Sequence, residues 1–177
     1  MKIPLFRSLS KGCLAALFLA VCVPVVNAEE VKVEGVHLCC GSCVKAATKA
    51  LTGVNGVSDA TVSQDDETVT FQAQDSDAAK AGLKALSAAG FYGSTSTAGP
   101  DLSIDATKKQ DKVELSHMHL CCPGCTKTAS AALKEVHGVK GVSAAAKQGK
   151  MTVTGESISL ADILKALHSS GFHATVN

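Results

Sequence analysis

Tryptophan is absent from this chain of 177 residues, tyrosine occurs once and phenylalanine five times. Beyond residue 28 the aromatics are only Phe71, Phe91, Tyr92 and Phe172. A stacking surface for bases or sugars is therefore excluded. Arginine is represented by Arg7 alone, and residues 29–177 carry 14 Lys against 16 Asp and Glu, a balance of −2. No basic face for nucleic acid can be assembled from that supply. Long apolar runs are scarce too: the stretch from Cys13 to Val26 is too short to span a bilayer, and no other run comes near it. There is no glycine-rich phosphate loop, and no Ser/His/Asp set recurs along the chain. Hydrolytic catalysis has no residues to rest on, and the expectation is of a protein that is not an enzyme.

What the N-terminus does have is the layout of an export signal. Lys2, Arg7 and Lys11 form a basic start, Cys13–Val26 an apolar centre, and Val26-Asn27-Ala28 a small-residue cleavage site before Glu29-Glu30. An uncleaved anchor is an alternative, and Leu19-Ala20-Val21-Cys22 offers a weak lipidation site as another. A cleaved signal implies a periplasmic or secreted protein with no membrane attachment afterwards. It also places the remaining cysteines where disulfides form.

Those cysteines fall into two matched runs, His37-Leu38-Cys39-Cys40-Gly41-Ser42-Cys43 and His119-Leu120-Cys121-Cys122-Pro123-Gly124-Cys125. A lone Cys-x-x-Cys means little, but two copies with an extra Cys and an upstream His at equal offsets form a strong pattern. Thiolate and imidazole are the ligands of soft and borderline metals. Two thiolates suit near-linear Cu(I) or Hg(II), whereas a third Cys and a His suit tetrahedral Zn(II) or Cd(II). The candidate ligands are Cys40, Cys43, Cys122 and Cys125, then Cys39 and Cys121, then His37 and His119. Adjacent Cys39 and Cys40 chelate one ion poorly together, so the extra thiol is free to contact a metal shared with the other run or with a partner. His137 and His168 are not repeated between the copies, His117 is expected as a solvated strand residue, His173 at the surface, and Met118 in the core.

The repetition extends beyond the cysteines. At an offset of 82, 11 of the 20 positions from His37 to Gly56 are identical to those from His119 to Gly138, and Gly90-Phe91 matches Gly171-Phe172 after a one-residue slip. Each copy reads as a strand (31–36; 113–117), the Cys loop, a helix ending at Gly56 or Gly138, two short strands, a second helix ending at Gly90 or Gly171, and a last strand starting at the phenylalanine. Apolar residues 44, 47, 51 and 54, matched by 129, 133 and 136, mark the buried face of the first helix. Ser159 with Asp162 resembles a capping box. The order βαββαβ is that of a ferredoxin-like α+β fold, and the stretch around Pro100 reads as a flexible linker. The expected division is a signal at 1–28, one domain at 29–95, a linker at 96–112 and a second domain at 113–177.

Each copy resembles the heavy-metal-associated domain, the βαββαβ module of copper chaperones, metal-pumping ATPases and periplasmic mercury scavengers. The resemblance implies that Cys40 and Cys43, and Cys122 and Cys125, are the metal-binding pairs, since they fall on the family's Met-x-Cys-x-x-Cys loop. Gly56-Val57, Gly138-Val139 and the two Gly-Phe pairs match its other marks. Leu38 and Leu120 replace its Met, Cys39 and Cys121 a usual Thr, and His37 and His119 a usual Gly. The family favours Cu(I), while the extra Cys and His favour Zn(II), Cd(II) or Hg(II).

The expectation is thus an exported protein that binds a soft or borderline metal, Cu(I) or Zn(II) foremost, and buffers it, sequesters it or hands it to a transporter or acceptor. Two other readings stay open. Cys-x-x-Cys between a strand and a helix also describes thiol–disulfide exchange proteins, although those need a cis-proline that Pro100 and Pro123 are not placed to supply. Inert disulfides are the third, although thiols packed within five residues close little chain.

Overall fold

The computed structural model describes residues 28–177, so the expected signal at 1–28 lies, but for its last residue, outside the described residues. The first half runs β1 (Glu29–Glu34), α1 (Gly41–Leu51), β2 (Val57–Ser63), β3 (Thr68–Ala73), α2 (Ser76–Ala88). The second runs β4 (Lys109–Ser116), α3 (Pro123–Lys134), β5 (Val139–Ala144), β6 (Met151–Ser159), α4 (Leu160–His168), β7 (Thr175–Val176). The sheets are antiparallel with orders β1-β3-β2 and β5-β6-β4-β7. The chain is an α+β protein of two tandem ferredoxin-like units. The fourth strand of the first unit shrinks to one bridge, in which Ser94 and Glu34 exchange both backbone hydrogen bonds at 2.8 Å.

Alternation builds each core. Val31 faces Phe71 and Val33 faces Val69 across β1 and β3, and all four are buried. Val113 pairs with Val153 and Leu115 with Met151 in the second unit, again buried. The helices close over these faces with Ala47, Leu51, Ala79, Leu83 and Leu86, and with Ala129, Leu133, Ile163, Leu164 and Leu167. Burying a side chain of Leu, Ile or Phe size contributes roughly 1.5–3 kcal/mol, which makes these stripes the main support of each unit. The stripe of α1 is Cys43, Ala47 and Leu51, with Val44 only partly covered, so the core face begins on a motif cysteine itself.

Local chemistry sets the helix starts. Asp75 caps α2 by accepting from the Ala78 N–H at 2.8 Å, and Ser159 caps α4 by accepting from Asp162 N–H at 3.2 Å. Pro123 opens α3, where its missing N–H costs nothing.

Several boundaries differ from the expected ones. β1 starts and ends two residues early, because Glu29 pairs with Ala73 and Gly35, at φ 71°, turns the chain out after Glu34. β4 opens at Lys109, four residues inside the stretch expected as linker, because the nine-residue β6 offers it partners; those residues are exposed and give no apolar alternation. Gly56 and Gly138 do not end α1 and α3, which stop at Leu51 and Lys134. They turn the chain into β2 and β5 at φ 75° and 87°, and the carbonyls of Gly56 and Gly138 accept from Gln74 and Glu156 at 2.8 Å. Phe91 and Phe172 do not begin sheet strands either: they form an antiparallel bridge with one another, across the two units.

Candidate metal centre

Both Cys loops are built alike. A left-handed residue bends the chain away from the first strand, Gly35 at φ 71° in one unit and His117 at φ 57° in the other. Leu38 and Leu120 then sink into the cores, 3 % and 2 % exposed, and anchor the loops. Cys40 and Cys122 stand in extended conformation as the N-cap residues of α1 and α3. One turn further on, Cys43 and Cys125 are fully buried, while Cys39 is exposed and Cys40, Cys121 and Cys122 are half-buried.

The fold brings the two loops face to face. Cys39 Sγ lies 3.2 Å from Cys125 Sγ and 3.5 Å from Cys122 Sγ, both in the other unit. Cys121 Sγ lies 3.4 Å from Cys40 Sγ and 3.4 Å from Cys43 Sγ. Within the units, Cys40–Cys43 is 3.8 Å, Cys122–Cys125 3.7 Å, Cys39–Cys43 3.7 Å and Cys121–Cys125 3.5 Å. All six are free thiols. Two groups of four, Cys39/Cys40/Cys43/Cys121 and Cys39/Cys121/Cys122/Cys125, have every sulfur within 4.8 Å of the others.

Docking of the units fixes this approach. The ring of His37 stacks on Phe172 at 4.3 Å and that of His119 on Phe91 at 4.6 Å, each pair crossing the interface. Backbone bonds run from His37 N and Tyr92 N to Gly171 O at 3.3 and 3.1 Å, and from His173 N to Gly90 O at 2.9 Å. His37 and His119, expected as possible ligands, thus lie outside both four-thiol groups. Burial lowers the pKa of both imidazoles, so they are neutral at pH 7, and each keeps a buried Nε2 without a hydrogen-bond partner. Their part is to seat the loop of one unit against the aromatic of the other.

The thiols are not equivalent. The first amides of α1, that of Cys43 foremost, and then the Cys121 thiol draw the Cys40 pKa down to about 6. The amide of Cys125, and next the Cys39 thiol, lower that of Cys122. Fixed N–H dipoles at a helix start favour a thiolate. Loss of water raises Cys39, Cys121 and Cys43, with neighbouring sulfurs pushing the first two further up. The helix starts thus favour the thiolate at Cys40 and Cys122, while burial favours the thiol at Cys39, Cys43 and Cys121, whose protons pass to solvent when a metal ion takes the sulfur. In the reduced, metal-free protein at pH 7, iodoacetamide is expected to alkylate Cys40 before Cys39, although Cys39 is the more exposed; peptide mass mapping over time reads the order. Cys39 reacting first would show that exposure, not the helix start, governs these thiols.

Sequence reasoning missed the residues that join the units. His173, expected at the surface, is half-buried and bonded to His168 at 2.9 Å. His168 in turn stacks on Tyr92 of the other unit at 3.7 Å, and burial followed by the charge of His173 lowers its pKa to about 4. The signal for this contact was the repeated Gly-Phe pair, which marks the docking edge of both units.

Thiols gathered at helix starts on two βαββαβ units define a class of small, cysteine-based metal-binding domains. The model of the heavy-metal-associated domain matches residues 30–91 and 116–173, and the chain belongs to that family. Among solved structures it is similar to a copper binding domain from HMA7, a P-type ATPase (26% identity, 38% of this chain and 95% of the other, TM-score 0.36). It is also similar to the N-terminal soluble domains of Bacillus subtilis CopA (17% identity, 86% and 96%, TM-score 0.32). No curated protein sequence matches the chain.

Proposed function

We propose that this protein is an exported, non-catalytic carrier of soft or borderline metal ions, Cu(I) or Zn(II) foremost, which it buffers and passes to an acceptor protein or transporter. The observation that carries this reading is the convergence of six free thiols from both units on one place. Sulfur-only donors bind ions that prefer thiolate and discriminate against hard, oxygen-seeking ones. Exposure is graded in a way that suits transfer by ligand exchange. Cys39 meets solvent, Cys40, Cys121 and Cys122 are half-covered, and Cys43 and Cys125 are sealed. An incoming thiolate attacks the ion from the side of the outer sulfurs and displaces them one at a time, while the inner ones still hold the ion. A metal held in this way also protects the thiols from oxidation in an exporting compartment.

The test is native mass spectrometry of the processed protein, recovered from its own compartment under thiol protection. Bound Cu or Zn on a chain whose six cysteines keep their thiol or thiolate form supports the proposal. A metal-free mass lacking two hydrogens per cysteine pair would overturn it and favour thiol–disulfide exchange.

A further inference from the structure

Six thiols are two more than one tetrahedral ion uses, and the manner in which they are shared decides what the surplus does. We infer that the centre takes two metal ions at once, with Cys39 and Cys121 each bridging both. This rests on the metal-binding reading above. The first four-thiol group consists of the Cys-x-x-Cys pair of the first unit, Cys40 and Cys43, with Cys39 and Cys121; the adjacent Cys39 and Cys40, expected to chelate one ion poorly together, have their sulfurs within 4.8 Å of each other in this loop. The second consists of the pair of the second unit, Cys122 and Cys125, with the same Cys39 and Cys121. The shared residues are the extra cysteine of each loop. Each leans across the interface: Cys39 is nearer to Cys125 and Cys122, at 3.2 and 3.5 Å, than to its own Cys43 at 3.7 Å. Cys121 is nearer to Cys40 and Cys43, both at 3.4 Å, than to its own Cys125 at 3.5 Å.

The spacing fits four-coordination. With a metal–sulfur bond of about 2.3 Å, the edge of a tetrahedron of sulfurs is about 3.8 Å, whereas a linear site holds its two sulfurs about 4.6 Å apart. The two Cys-x-x-Cys pairs, at 3.8 and 3.7 Å, have the tetrahedral edge. One ion held by either group would leave the other unit's pair unliganded beside it. Two divalent ions against six thiolates leave a net charge of −2, with each entering thiol releasing its proton to solvent. Both α1 and α3 direct their N-termini at this charge, each equivalent to about half a positive charge. The class of cargo that suits the centre is therefore a divalent d10 ion, Zn(II) or Cd(II).

Cadmium is the probe. The reduced full-length mature chain is titrated with ¹¹³Cd(II) while the thiolate-to-metal absorption is followed, and the end point is examined by ¹¹³Cd NMR. The expected result is two ions per chain and two all-sulfur resonances split by their mutual coupling, which only a shared sulfur transmits. In the variant Cys39→Ala with Cys121→Ala the coupling vanishes and binding weakens at least tenfold, while the dispersed amide spectrum shows both units still folded. One ion per chain, or two uncoupled ions in the wild type, would overturn the bridged centre and leave the carrier reading standing. Failure to bind Cd(II), Zn(II) and Cu(I) alike would overturn both.

Discussion

Alanine at both Gly90 and Gly171 will part the two units and lower metal affinity by about 100-fold or more. A Cβ at Gly90 would lie 2.2 Å from His119 N and 2.7 Å from His117 O, and one at Gly171 would lie 2.3 Å from His37 N and 2.6 Å from Gly35 O. These neighbours are backbone atoms of the facing Cys loop, so no side-chain rotation relieves the contact. Both glycines also hold left-handed φ, 87° and 78°, which costs an L-residue roughly 1–2 kcal/mol. The loops must withdraw, and with them the sulfurs that each unit lends to the other. Loss of groups that merely orient a metal ligand costs 10–100-fold in affinity, and here ligands themselves are displaced. Competition of the protein with a chromophoric chelator for Zn(II) measures the drop. Gly99→Ala, where a Cβ meets only Leu83 Cδ1 at 3.5 Å, serves as the control. Unchanged affinity in the double variant would mean that each Cys-x-x-Cys pair works alone.

Phe172→Ala will destabilise the protein by about 3–5 kcal/mol, the range for an aromatic removed from a packed core. Phe172 is 1 % exposed and belongs to the core of the second unit, yet its ring also carries His37 of the first. Truncation opens a cavity and uncovers an imidazole whose Nε2 is already buried without a partner. Against a total stability typically between 5 and 15 kcal/mol, such a loss exposes the second unit to unfolding. Urea titration of the reduced, metal-free protein gives the value. A loss under 1 kcal/mol would show that the interface is loose and that the ring is replaceable.

The elements of both units were legible in the sequence because their cores obey simple periodicity. Val69, Phe71 and Ala73 alternate on a strand, and Leu160, Ile163, Leu164 and Leu167 line one side of a helix, and all of them are buried. The thiols were legible because they repeat. The boundaries were less so: the exposed start of β4, with Lys109, Gln110, Asp111 and Lys112, has the composition of a linker and becomes a strand only because β6 offers partners. The relation between the units was legible only as a repeated Gly-Phe pair, whose meaning no local feature gave. Gly90 and Gly171 read naturally as helix ends, and nothing local distinguishes a glycine that stops a helix from one that admits another backbone. His37 and His119 were legible as a repeated pair beside the cysteines, but their stacking on Phe172 and Phe91 of the facing unit was not.

X-ray absorption at the K-edge of the zinc-loaded protein tests most directly the claim that both units serve one centre. The expected first shell is four sulfurs per ion with no nitrogen or oxygen, together with a metal–metal vector from the neighbouring ion. A shell of two sulfurs completed by nitrogen or oxygen, with no metal–metal vector, is what two separate Cys-x-x-Cys loops would give and would contradict it.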